Sequence, residues 1–103
     1  MEDPTINEKK IDEVIANCKA AMDVSYYKYG SAKKNFAEGR VDAVKTIDNC
    51  LIKFNRTKNL EYLQDVINYA LFRILYPLPG DTYEVTDSDG SAGVVGTPIN
   101  MEH

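Results

Sequence analysis

Residues 59–77, NLEYLQDVINYALFRILYP, decide the fold. Leu60, Leu63, Ile67, Ala70, Leu71 and Ile74 recur at spacings of three and four, which is the period of one helical face. Asn59 offers a side-chain oxygen to cap the first turn, and Pro77 cannot continue the backbone ladder. The segment therefore predicts an amphipathic helix, and such a helix needs other helices to cover its stripe.

Upstream, Val44, Ile47, Cys50, Leu51 and Phe54 repeat the same spacing, predicting a second helix from about Val41 to Phe54 with those residues as its buried face. NRTKN, residues 55–59, is the polar turn between the two. Earlier still, Ile11, Val14, Ile15, Cys18, Met22, Ser25, Tyr26 and Tyr29 mark one long helix, with Thr5 and Glu8 as a capping box and Gly30 as its C-cap. SAKKNFAEGR, residues 31–40, reads as a connector with one helical turn after Ser31. Three helices with short connections predict an all-α, antiparallel three-helix bundle-like domain over residues 1–79. Residues 80–103 are glycine-, aspartate- and serine-rich. They read either as a mobile acidic tail or as short extended pieces, Thr82–Val85 and Val94–Val95, laid over a neighbouring subunit.

At 103 residues the chain makes one domain, small enough to leave apolar surface outside, so a homo-oligomer is expected. The net charge of −4 is unevenly spread. Eight basic residues face three acids between Lys28 and Lys58, and no Lys or Arg follows Arg73. A basic middle and an acidic end can satisfy each other, or the middle can bind an anion. The excess is too small for a surface that tracks duplex nucleic acid. Cys18 and Cys50 read as reduced core thiols, with a disulfide between them as the alternative. The charged start and the lack of any apolar run of membrane-spanning length predict a cytoplasmic protein.

Several chemistries drop out. The one histidine is His103, so no triad has its base, and two separated cysteines with that histidine do not make a structural zinc site. DSDG, residues 87–90, places Val85 and Gly96 at the end positions of a calcium loop, where carboxylates are required. No glycine-rich phosphate loop is present. What remains is chemistry that helices perform with carboxylates, or binding alone. SYYKYGSAKKNF, residues 25–36, brings Tyr26 and Tyr29, a helix-ending Gly30, Ser31, and Lys33 and Lys34 together, with Arg40 beyond. A tyrosine ring can stack on a base while Ser31 and the lysines hold a phosphate. The plainer reading is that the tyrosines continue the core stripe and the lysines solvate a connector. Likewise Glu61, Asp65 and Asn68 share a polar stripe away from Leu63, Ile67 and Leu71, which is either a solvated face or part of a Mg²⁺ site.

KYGSAKKNF (28–36) followed by TKNLEYLQDVINYALF (57–72) resembles small phage and prophage proteins of the MazG-like all-α nucleotide pyrophosphohydrolase group. The likeness spans residues 20–75 and rests on the YG-containing turn and the D-x-x-N-Y-A helix. It implies an oligomeric helical domain with a nucleotide pocket and carboxylate-bound Mg²⁺. Asp65 and Asn68 match the family's ExxD pair with the second acid replaced by an amide, and its ExxE pair has no counterpart at Asp12, Glu13 or Asp42. Two Mg²⁺ ions normally require three or four carboxylates. The expectation is therefore a phage-type protein that binds or sequesters a nucleotide-like ligand, such as a cyclic nucleotide signal, through Tyr26, Tyr29, Ser31, Lys33, Lys34 and Arg40, without cofactor or efficient turnover. One alternative is a divergent Mg²⁺-dependent pyrophosphohydrolase using Glu61, Asp65 and Asn68, with Asp12 or Asp48 as further ligands. Another is an inhibitor that docks on a host protein.

Overall fold

A computed structural model describes residues 7–86 together with 92 and 93. The chain is all-α. Its elements are α1 (Glu8–Tyr29), a single π-helical turn (Lys33–Ala37), α2 (Ala43–Thr57) and α3 (Glu61–Leu75), with no strand among the described residues. The three-residue connection between α2 and α3 makes them an antiparallel hairpin, and α1 lies against α3.

Local chemistry sets the ends. Asn7 caps α1, its side chain accepting from the Lys10 amide at 3.4 Å, whereas the capping box proposed at Thr5 lies outside the described residues. Gly30 ends α1 at φ 82°, a backbone conformation that side-chain-bearing residues avoid, and its N–H donates to the Tyr26 carbonyl at 2.9 Å. α2 starts two residues later than Val41, because the Asp42 carboxylate accepts from the Lys45 amide at 3.0 Å. It runs on to Thr57, and Lys58 terminates it in the left-handed region at φ 59°. The N-cap position of α3 falls at Leu60, one residue past the expected Asn59, although the Asn59 side chain still accepts from the Glu61 amide at 3.0 Å.

Among the described residues the hairpin is covered on one side only. Among the described residues the buried apolar side chains are Cys18, Phe36, Ala43 and Cys50, and no large side chain is fully enclosed. Both cysteines are free thiols. Burial, with Asp65 nearby, pushes the Cys50 thiol above its ordinary pKa, as expected of an inert core cysteine. The expected buried face of α2 holds at Cys50, with Ile47 and Phe54 half-buried, but Val44 and Leu51 are exposed. In α1, Ile11, Val14 and Ile15 are exposed as well, since only its middle and C-terminal half reach α3 and the connector.

At the C-terminal side of α3, Arg73 donates from Nε and Nη2 to the Asp81 carboxylate at 2.5 and 3.0 Å, and the Leu78 amide donates to it at 2.9 Å. That fork ties the Pro77–Gly80 turn back to the helix. Thr82–Val85 carries no strand pairing, and Val94–Val95 lies outside the described residues.

Candidate functional site

The segment after Gly30 folds back as a hook. The Asn35 amide donates to the Ser31 carbonyl at 3.1 Å, its side-chain Nδ2 to the Tyr29 carbonyl at 3.2 Å, and its carbonyl accepts from Val41 at 2.9 Å. Those bonds drive Phe36 inward. Its ring stacks on Phe72 with centroids 4.7 Å apart and meets Tyr69 at 5.9 Å, and Phe36 is 8% exposed. The turn of the hook thus props the C-terminal half of α1 away from α3.

Between them lies a cavity of about 440 Å³, within the range of small-molecule sites. Tyr26, Tyr29 and Gly30 come to it from α1, Ala32, Asn35 and Phe36 from the hook, and Asp65, Asn68, Tyr69 and Phe72 from α3. Its walls are aromatic and its charged residues are Asp23 and Asp65; no Lys or Arg lines it. Burial, with Glu61 one turn away, pushes the Asp65 carboxyl above the usual range. Burial likewise raises the Tyr69 phenol, with Asp65, Cys50 and Tyr29 adding to the effect.

Asn68 is the unusual member. It is 6% exposed, and its Nδ2 donates to the Cys18 carbonyl of α1 at 3.0 Å, which fixes the orientation of the amide. Its Oδ1 is buried with no hydrogen-bond partner. Such an acceptor carries a desolvation penalty of about 1–3 kcal/mol until a donor reaches it. No known protein family, characterised protein or solved structure matches this chain.

The residues singled out in the sequence are divided by this geometry. Tyr26, Tyr29, Asp65 and Asn68 line the cavity, while Ser31, Lys33, Lys34 and Arg40 do not. Ser31 is half-buried, and its carbonyl serves the hook. Lys33 and Lys34 are exposed on the adjoining turn, and Arg40 pairs with Glu38 at 3.0 Å on the surface. Of the polar stripe on α3, Glu61 is exposed but Asp65 is half-buried and Asn68 buried, so α3 turns this stripe inward rather than to solvent. Among the described residues no three His, Cys, Asp or Glu side chains gather as a metal site would require; Asp12 and Asp48 do not join Asp65. Phe36, Tyr69 and Phe72 went unread in the sequence. Asp65, Tyr69 and Phe72 nevertheless repeat at four and three residues, a mixed polar and aromatic stripe that marks one helix face.

Proposed function

We propose that this protein binds a nucleotide-like small molecule as a homo-oligomer, holding the base in the aromatic cavity without efficiently turning it over. The observation that carries this reading is the Asn68 amide. With Nδ2 committed to Cys18, the buried Oδ1 of this cavity-lining residue is left without a donor, and a ligand's N–H would satisfy it once the side chain turns it toward the cavity. The Asp65 carboxylate adds a second acceptor in the same cavity. A base that presents an exocyclic amine, as adenine, cytosine and guanine do, answers both. Stacking against Tyr26, Tyr29, Tyr69 or Phe72 would contribute on the order of 1–3 kcal/mol per ring.

The acidic lining keeps phosphates out of the cavity. They remain at the turn carrying Ser31, Lys33 and Lys34, which adjoins the cavity at Ala32 and Asn35. A role consistent with the MazG-like resemblance is sequestration of a nucleotide signal, such as a cyclic one, in the cytoplasm of a phage-infected cell.

The test is to incubate the protein with Mg²⁺ and a mixed pool of nucleoside triphosphates and cyclic oligonucleotides, filter, and identify the free and heat-released species by mass spectrometry. The proposal expects an amino-bearing species, lost from solution and recovered intact. Lys33→Glu with Lys34→Glu should lower its retention at least tenfold with no change in melting temperature. An untouched pool refutes the proposal, and conversion to monophosphate refutes binding without turnover in favour of the hydrolase.

A further inference from the structure

α3 has two unlike flanks. Asp65, Asn68 and Phe72 face the cavity, while Leu60, Leu63, Ile67, Ala70, Leu71 and Ile74 run along the other side at three- and four-residue spacing. Leu60, Ile67, Leu71 and Ile74 are 68, 48, 39 and 63% exposed. On α2, Val44 and Leu51 lie two turns apart and are also exposed, while Ala43 and Cys50 point inward. In an antiparallel hairpin that register turns Val44 and Leu51 to the same side as the α3 stripe. On α3 no charged residue interrupts this stripe, and on α2 the exposed Asp48 lies between Val44 and Leu51.

We propose that this flank is the interface of a homodimer, in which the α2–α3 hairpin of one copy lies on that of a second and closes a four-helix core. The inference rests on the proposal that the chain self-associates and is independent of the ligand. The burial, chemistry and area of the flank select a second copy as the occupant.

The described residues, 7–86 with 92 and 93, enclose only four apolar side chains, a small core for a stretch of that length, which favours a covering partner present whenever the chain folds. The α3 stripe is aliphatic and carries a single acid, Asp48, on its α2 border, so it offers little to a partner selected by charge and suits a two-fold contact in which the same surface meets itself. Six aliphatic side chains at these exposures leave roughly 500–600 Å² bare, at the upper end of what a monomer tolerates. Two such faces with their polar rims reach about 1,200–1,600 Å², the size of a standard specific interface.

Sedimentation equilibrium of the full chain, from about 1 to 100 µM, tests the association. The expected mass is twice 11.6 kDa. The face is tested by Leu60→Cys, Ile67→Cys, Leu71→Cys and Ile74→Cys, each oxidised and run without reductant. At least one should cross-link to its own counterpart. Ile52→Cys, on the side of α2 away from α3, should not; Ile52 is 55% exposed. A chain that sediments as a monomer throughout overturns both the association and this interface, including the case in which its own C-terminal residues cover the stripe. A dimer in which none of the four positions cross-links, or in which Ile52→Cys does so instead, overturns the face alone.

Discussion

Replacing Asn68 with leucine is expected to strengthen the fold while removing the binding site. Both side chains branch at Cγ with four heavy atoms, and the larger methyls of leucine have the adjoining cavity to extend into. The substitution removes the hydrogen bond from Nδ2 to the Cys18 carbonyl, a net loss of about 0.5–1.5 kcal/mol. That carbonyl lies inside α1 and keeps its own helical partner, so no new orphan is created. The substitution also removes the unpartnered Oδ1, recovering about 1–3 kcal/mol, and places apolar atoms in a site that is 6% exposed. The balance favours the variant by about 1–2 kcal/mol, or roughly 4–15 °C in melting temperature for a domain of this size. Urea denaturation at fixed protein concentration measures it, with an unchanged m-value showing that the folded state is the same. A loss of 1 kcal/mol or more would refute the reasoning, because it would mean that Oδ1 is already satisfied in the free protein. Asn68→Asp supplies the contrast: a buried carboxylate should destabilise strongly at neutral pH and recover as it protonates in acid.

Phe36→Ala should cost about 3–4 kcal/mol, because it removes the ring that holds the hook against Phe72 and Tyr69; circular dichroism melting would show a large drop or no folded baseline. Lys58→Gly should stabilise by about 0.5–1 kcal/mol, since φ 59° at the end of α2 suits glycine better than lysine; an unchanged or lower urea midpoint would count against this. Asp81 is held at a pKa of about 2 by its hydrogen bonds from Arg73 and the Leu78 amide. A folded pKa below the unfolded value of about 3.9 makes the contact contribute above that value and lose its contribution as pH falls toward 2. Carboxyl NMR titration should find this depression. Arg73→Gln should return Asp81 part of the way, the Leu78 amide keeping it below the ordinary range.

The helices were legible because each carries its own period and punctuation, as at Gly30 and Asn59, where backbone chemistry acts within three or four residues; the Asp42 cap of α2 was not, and the expected start at Val41 passes over it. The direction in which each stripe points was less legible. The run from Leu60 to Ile74 announces an apolar face but not what covers it, and in the isolated chain α2 and α1 cover the other side. Asn68 was named as a candidate metal ligand, but the same ambiguity hid its burial, since an amide on a polar stripe reads as solvated until the Cys18 carbonyl, 50 residues away, comes against it. Tyr26 and Tyr29 were found because aromatics beside a helix-ending glycine are conspicuous. Phe36 was not, because a lone aromatic in a polar connector acquires its meaning only when the hook turns it inward.

Asn68 and the surrounding rings are proposed to receive an amino-bearing base. Saturation-transfer NMR tests this most directly, with AMP, CMP, GMP and UMP offered in turn to the wild-type protein and to Asn68→Leu. Transfer is expected to the base protons of at least one amino-bearing nucleotide, stronger than to its ribose, weaker for UMP, and abolished in Asn68→Leu. No transfer to any base, or transfer that survives unchanged in Asn68→Leu, would contradict it.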